Sequence, residues 1–254
     1  MTTIVFLHIP KTAGQTVHNA LAEAVGGDAV SPVRVHTQAA ADAQMPAGYR
    51  LYSGHLDWTG LGDLPPDRFV FSILRDPRER IASFYFFLRK EAEALSEADL
   101  TRPENLGKLR ALTWSADAYF FGGDANWQRF IRDHYDNFYC SYFATRKMRG
   151  RGDLAGLTPD EVLSRALSGA EELDAIYEIS GLEALDRDLS ALLKRPVRAS
   201  GVVQNAGPLD RNLRRWPRLL EAFEDPASAE RLAGYASLDD RFMQRLGLVP
   251  DADG

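Results

Sequence analysis

Short apolar runs alternate with segments of helical periodicity along most of the chain. Runs such as residues 4–7, Ile-Val-Phe-Leu, are continuously apolar and partly β-branched, which is typical of strands buried on both faces of a parallel sheet. The strands predicted in this way span residues 4–8, 33–36, 50–53, 69–74, 175–180 and 197–203. Helical spacing of apolar residues predicts helices over residues 16–25, 77–90, 159–173 and 182–193. The alternation predicts an α/β protein with a central, mostly parallel sheet flanked by helices.

Residues 91–150 interrupt this alternation, because their pattern is largely helical. We expect a helical insertion over the sheet, where elements that select a substrate often lie. A chain of 254 residues has the size of one α/β domain with a sizeable core. The sequence therefore predicts a single domain over residues 1–254 that contains this insertion.

The first predicted strand leads into a turn suited to an anion. Pro10 stops the strand, Lys11 supplies an ammonium, and Gly14 permits a tight turn before helical spacing begins at Thr16. Backbone N–H groups of a helix N-terminus and the lysine then point at one place, which most often takes a phosphate. The lysine precedes the glycine and no Gly-Lys-Ser/Thr follows, so the segment is not a Walker A motif. This order argues against an ordinary ATPase or GTPase.

A second cationic strand end follows residues 69–74. Arg75 comes directly after that strand, at the edge where open parallel sheets bind ligands. Asp76 fits the N-cap of the next helix, and Glu79 is predicted to complete a capping box. Ser83 lies about two helical turns beyond Arg75 and is predicted to reach an anion held there. In the alternative interpretation, Arg75 pairs with a structural carboxylate and Ser83 faces solvent.

Charge and cysteine content exclude several classes of protein. The net charge of −6 and a pI near 5.4 disfavour generic nucleic-acid binding. The single cysteine, Cys140, excludes an intramolecular disulfide and a cysteine-based metal site, and no metal-ligand spacing such as His-Glu-x-x-His occurs. No apolar run approaches the length of a membrane span, and no signal peptide precedes the first strand, so we expect a cytoplasmic protein.

Three segments resemble signatures of sulfotransferases that use 3′-phosphoadenosine-5′-phosphosulfate (PAPS). Residues 6–16, Phe-Leu-His-Ile-Pro-Lys-Thr-Ala-Gly-Gln-Thr, resemble the 5′-phosphosulfate loop of that family. Residues 74–80 with Ser83 resemble its 3′-phosphate segment, and residues 51–56 resemble the segment that ends in the catalytic histidine. The likeness is closest to the carbohydrate group that includes heparan sulfate 2-O-sulfotransferase. It implies a P-loop-like three-layer fold.

The resemblance also implies a role for each matching residue. His55 would be the general base, and Lys11 would bind the 5′-phosphosulfate and stabilise the leaving group. The other residues that would hold the donor are Thr12, Ala13, Gly14, Gln15, Thr16, Arg75 and Ser83, with Asn205 from a late segment. PAPS would be the sulfuryl donor and 3′,5′-ADP the product, with no metal required. Two positions depart from the family pattern, since Ala13 stands where many relatives have glycine and Gln15 replaces a small hydroxyl residue.

His55 is a candidate base on its position as well. It follows Gly54 at the end of a predicted strand, on the same sheet edge as Lys11 and Arg75. A lone histidine is more often structural than catalytic, but the placement and the family match together favour catalysis. Its unperturbed pKa of about 6.5 would suit a base near working pH. The structural interpretation is preferred for the other four histidines: His8, His18, His36 and His134.

The acceptor is expected to carry a hydroxyl group and to be a glycan, a glycolipid or a small metabolite. Basic clusters at residues 146–151 and 211–218, and aromatic residues between 114 and 127, are candidates to contact it. The simpler interpretations are solvated charged faces and a helical core. Two other functions stay open: a kinase-like nucleotide enzyme, which lacks its usual loop here, and a non-catalytic nucleotide-binding or interaction protein.

Overall fold

The computed structural model describes residues 2–200 and 214–248. Within these residues the strands are β1 (Thr3–Leu7), β2 (Leu51–Gly54), β3 (Arg68–Leu74) and β4 (Ala175–Glu178). They form one parallel sheet in the order β2-β1-β3-β4, with Leu7 of β1 opposite Gly54 of β2 and Ser72 of β3. The predicted central parallel sheet is confirmed.

Helices surround this sheet and make up most of the remaining described chain. The α-helices are α1 (Gly14–Val25), α2 (Pro77–Glu93), α3 (Glu97–Leu100), α4 (Leu106–Thr113), α5 (Ala116–Phe121), α6 (Ala125–Tyr135), α7 (Phe138–Thr145), α8 (Pro159–Ala170), α9 (Leu182–Leu193), α10 (Arg215–Leu220), α11 (Pro226–Ala233) and α12 (Ser237–Arg245). Short 3₁₀ turns lie in several connections, as at Leu61–Asp63 between β2 and β3 and at Arg151–Leu154 between α7 and α8. No helix in the described part of the chain is long and apolar enough to cross a membrane.

Both faces of the sheet are covered, which explains why its strands are continuously apolar. Ile4 and Phe6 of β1 pack on one side against α1 and α9. Val5 and Leu7 point to the other side and pack against α7, α8 and α12. The alternation of these side chains follows from the two-residue period of a strand. The result is a three-layer arrangement of helices, sheet and helices.

A third apolar cluster lies between α2 and the helices α4, α5, α6, α10 and α11. Tyr119, Phe120 and Trp127 are buried within it, so these aromatic side chains form a helical core. The helices of residues 91–150 divide between two places, because α7 packs on the sheet while α4 to α6 pack on α2.

Two predicted strands are wrong. Residues 33–36 form only an isolated parallel bridge, between Val35 and His55, because the N–H groups of Arg34 and Val35 donate to the side chain of Gln38. Residues 197–200 form no strand either, since Val197 donates to a serine hydroxyl of α9 and the next N–H groups donate to an aspartate of α9. Residues 201–203 lie outside the described chain. The predicted helix over 159–173 ends at Ala170.

The order of the strands places a topological switch point at their carboxyl ends. The chain passes from β1 to β2 on one side and then crosses to β3 on the other side of β1. Ligands of open α/β sheets bind where such connections diverge. The segments that leave this edge include the lysine loop (residues 8–13), His55 and Arg75.

Candidate active site

The lysine loop joins β1 to α1 and has an unusual backbone. Lys11 and Ala13 both have positive φ, 75° and 64°. The loop is braced by Thr12, whose buried hydroxyl donates to the carbonyl of Ile9 at 2.9 Å. Ala13 occupies the N-cap of α1 and has no side-chain acceptor, so the first-turn N–H groups donate no hydrogen bond to a capping side chain. Such a turn of backbone N–H groups at a helix N-terminus forms a concavity for an anion.

Gly14 is required because the ring of His8 occupies the space beside it. A Cβ built on Gly14 would lie 1.7 Å from Nε2 of His8. Farther along α1, Gln15 is exposed and donates from its side-chain amide to Asn19 at 2.8 Å, whereas Thr16 is buried. The start of α1 therefore presents mainly its backbone to this edge of the sheet.

The Lys11 ammonium lies above the ring of Phe87 on α2, 3.9 Å from the ring centroid. Burial, together with the nearby Arg215 and Arg75, lowers the pKa of Lys11 to about 8. Within the described residues no carboxylate lies within ion-pair distance of this ammonium. Lys11 is a cation held among other cations, which is a state that a bound anion would stabilise.

Arg75 is fixed from two sides at the end of β3. The backbone N–H of Arg75 donates to the hydroxyl oxygen of Tyr139 at 3.2 Å. The Tyr139 hydroxyl in turn donates to the backbone carbonyl of Arg75 at 2.8 Å. The Arg75 guanidinium pairs with Glu79 at 3.1 Å. The alternative interpretation of Arg75 as a partner of a carboxylate is thus realised. The capping box is only half formed, because Asp76 accepts from the N–H of Glu79 while the Glu79 carboxylate binds Arg75 and the N–H of Trp216.

Ser83 lies between the two anchors along one face of α2. Glu79, Ser83 and Phe87 are spaced by four residues and therefore share a face. Glu79 meets Arg75 at one end, and Phe87 lies under Lys11 at the other, about 12 Å along the helix axis. Ser83 is buried, so the alternative interpretation in which it merely faces solvent is wrong. This face of α2 connects the two predicted anion anchors.

His55 follows β2, and its backbone N–H and carbonyl both form hydrogen bonds with residues 34–36. Its N–H donates to the carbonyl of Arg34 at 2.9 Å, and its carbonyl accepts from the N–H of His36 at 2.8 Å. Its ring lies 4.4 Å from that of His8, as expected for residues that follow the paired Leu7 and Gly54. Nε2 of His55 is buried and has no hydrogen-bond partner among the described residues.

The surroundings of His55 keep its ring neutral. Burial, followed by the effects of His36, Arg34 and Lys11, lowers its pKa to about 4. A neutral imidazole has one nitrogen lone pair that can accept a proton. His55 is thus a free base at neutral pH, next to the lysine loop.

Arg34 is a residue of this site that the sequence pattern did not single out. Its guanidinium donates to the carbonyl of Ser53 and to Nε2 of His18 at 2.7 Å. Since an arginine only donates, Nε2 of His18 accepts and its Nδ1–H donates to the Ser53 hydroxyl at 3.1 Å. This agrees with the structural interpretation of His18. The contacts join residues far apart in sequence, so no local signal could have revealed them.

The basic cluster at residues 146–151 is largely neutralised by carboxylates of the protein itself. The ion pairs join Arg146 to Glu172, Lys147 to Asp153 and Arg151 to Asp136. This favours a structural role for these cations. Asn205 and residues 211–213 of the second basic cluster lie outside the described chain. Arg215 of that cluster precedes Trp216, whose N–H donates to Glu79, the partner of Arg75. The charge of Arg215 lowers the pKa of Lys11, and the charge of Arg75 in turn lowers the pKa of Arg215.

Comparison with known proteins agrees with the geometry at the family level. A sequence model described as the sulfotransferase family matches residues 2–145. This stretch is more than half of the chain and includes the lysine loop, His55, Arg75 and Ser83. A search of curated proteins returned no match.

Proposed function

This chain belongs to the sulfotransferase family, and on that premise we propose that it transfers a sulfuryl group from PAPS to an acceptor hydroxyl. The observation that carries the proposal is a neutral His55 beside the lysine loop, at the same sheet edge as Arg75. A base and two cations at one edge suit a reaction in which a hydroxyl loses its proton while an anionic group leaves. The acceptor we propose is a glycan, a glycolipid or a small metabolite.

The residues at this edge fit a nucleotide that carries phosphate groups at its 3′ and 5′ positions. Lys11 and the backbone of residues 12–16 would hold the 5′-phosphosulfate at the start of α1, where Ala13 supplies no competing side-chain cap. Arg75 and Ser83 would hold the 3′-phosphate on the face of α2. The missing Cβ of Gly14 leaves room for the ring of His8 against this cradle.

The chemistry divides between His55 and Lys11. When bound, PAPS supplies the sulfuryl group, and 3′,5′-ADP is released. His55 would accept the proton of the acceptor hydroxyl as that hydroxyl attacks the sulfuryl group, and Lys11 would stabilise the negative charge of the departing oxygen. General base catalysis needs an imidazole that is neutral before the reaction, which burial of His55 provides. The cations stabilise charge that grows on the departing oxygen.

Calorimetry with 3′,5′-ADP tests the donor site without knowledge of the acceptor. We expect the wild-type protein to bind 3′,5′-ADP more tightly than ATP with Mg²⁺. Lys11→Ala and Arg75→Ala should each weaken that affinity by about 10- to 100-fold, since each removes a charge-assisted contact. Unchanged affinity in both variants would refute the nucleotide assignment. An acceptor screen with labelled PAPS then tests transfer itself, and would separate an enzyme from a non-catalytic binding protein.

The pH dependence of kcat/KM should show an acidic limb, set by His55, and an alkaline limb, set by Lys11. His55 must be neutral, so kcat/KM should rise as the pH increases through about 4. Lys11 must be protonated, so kcat/KM should fall as the pH increases through about 8. The comparison with Lys11→Arg isolates the second limb, because arginine stays protonated throughout. An alkaline limb that is identical in the two proteins would show that Lys11 does not cause it.

A further inference from the structure

One carboxylate ties the beginning of α10 to Arg75. Glu79 uses Oε2 to bind the Arg75 guanidinium at 3.1 Å and Oε1 to accept the N–H of Trp216 at 2.8 Å. Two residues along the same helix, Arg218 lies over the ring of Phe86 with its guanidinium 5.2 Å from the centroid. The start of α10 therefore lies on α2, beside the face that carries Ser83.

Arg215 is the first residue of α10 and is half-buried at this contact. Within the described residues no carboxylate lies within ion-pair distance of its guanidinium. The charges that face it are Arg75 and Glu79, and burial with the Arg75 charge lowers its pKa. Among neighbouring charges, that of Arg215 lowers the pKa of Lys11 most, followed by that of Arg75. The charge of Glu91 raises it.

Three cations thus meet around one face of α2, and Glu79 is already paired with one of them. Like charges brought together out of water destabilise each other unless an anion lies between them. An arginine that is half-buried beside two other cations is the arrangement that binds phosphate, since its planar guanidinium offers a fork of donors.

We propose that Arg215 is a third anion-binding residue of the donor site, which contacts a phosphate of the nucleotide together with Lys11 and Arg75. This inference rests on the proposed function. It places Arg215 on the donor side, whereas the sequence made the basic cluster at 211–218 a candidate to contact the acceptor. Glu79 then sets the position of α10 so that Arg215 lies beside the site before the nucleotide binds.

The test compares the affinity of 3′,5′-ADP for the wild type, Arg215→Ala and Arg218→Ala by calorimetry. Arg218 is the matched control, because it is an exposed arginine of the same helix that rests on Phe86. Arg215→Ala should weaken binding by about 10- to 100-fold, as expected for the loss of a charge-assisted contact. Arg218→Ala should change it by less than about threefold, because an exposed charge is screened by solvent.

The Arg215→Lys variant distinguishes a direct guanidinium contact with the phosphate from a general effect of positive charge. A direct guanidinium contact predicts an affinity between those of the wild type and Arg215→Ala, since lysine keeps the charge but not the fork. Unchanged affinity in Arg215→Ala, or equal losses in Arg215→Ala and Arg218→Ala, would overturn the inference and leave the proposed function intact. Failure of the wild-type protein to bind 3′,5′-ADP would contradict both the role of Arg215 and the proposed function. Thermal unfolding of each variant checks that α10 remains folded.

Discussion

Replacement of His55 by alanine should lower kcat by about 100- to 10,000-fold, the range that a general base contributes. The affinity for 3′,5′-ADP should change little, because His55 follows β2 whereas the proposed phosphate contacts lie on the lysine loop and α2. The measurement is turnover of labelled PAPS with an acceptor from the screen, alongside calorimetry with 3′,5′-ADP.

Added imidazole provides a control for the His55→Ala variant. If the variant lacks only a base, imidazole in the buffer should restore part of the lost rate, while a distorted site would not respond. Normal turnover in His55→Ala would remove His55 from the mechanism. Loss of 3′,5′-ADP binding would instead assign His55 a structural role at the sheet edge.

Replacement of Gly54 by alanine should lower the free energy of unfolding by about 3 kcal/mol, the upper part of the usual range for overpacking. A Cβ on Gly54 would lie 2.1 Å from the carbonyl oxygen of Arg34, and backbone cannot move aside as a side-chain end can. The same carbonyl accepts the N–H of His55, so the shift should also disturb the base. Urea denaturation and the rate of transfer are the two measurements.

Gly62→Ala is the matched control for Gly54→Ala. No atom lies within 4 Å of a Cβ built on Gly62, and its φ is not in the left-handed region. The free energy of unfolding should therefore stay within about 1 kcal/mol of the wild-type value. Equal stability of Gly54→Ala and Gly62→Ala would contradict the close approach of Arg34 to β2.

The parts of the fold that sequence predicted correctly depend on local signals. The β1 strand, the lysine loop and α1 follow one another without interruption, so the apolar run, Pro10 and Gly14 suffice to locate them. The same holds for β3, Arg75 and α2, where Asp76 caps the helix as expected. Helical and strand periodicity are strongest in such continuous segments.

The features that sequence did not predict depend on contacts between distant segments. Residues 33–36 look like a strand by composition, but Gln38 captures the N–H groups that a ladder would use. Glu79 was expected to bond its own helix start, yet the guanidinium of Arg75 and the backbone of Trp216 compete for its carboxylate. The placement of Arg215 beside Lys11 similarly requires α10 to fold back onto α2.

The burial that keeps several histidines neutral affects stability as well as catalysis, because these residues take up protons when the chain unfolds in acid. Burial lowers the pKa of both His18 and His55 to about 4 and that of His134 to about 3, from the value of 6.5 expected in an unfolded chain. Between pH 6.5 and 4 these histidines therefore bind more protons in the unfolded chain than in the folded one, and their contribution to the free energy of unfolding falls as the pH drops. The burial that keeps His55 a base therefore also makes a destabilising contribution to the folded state at acid pH. In the acidic limb of a rate profile, the loss of native molecules will accompany the protonation of His55.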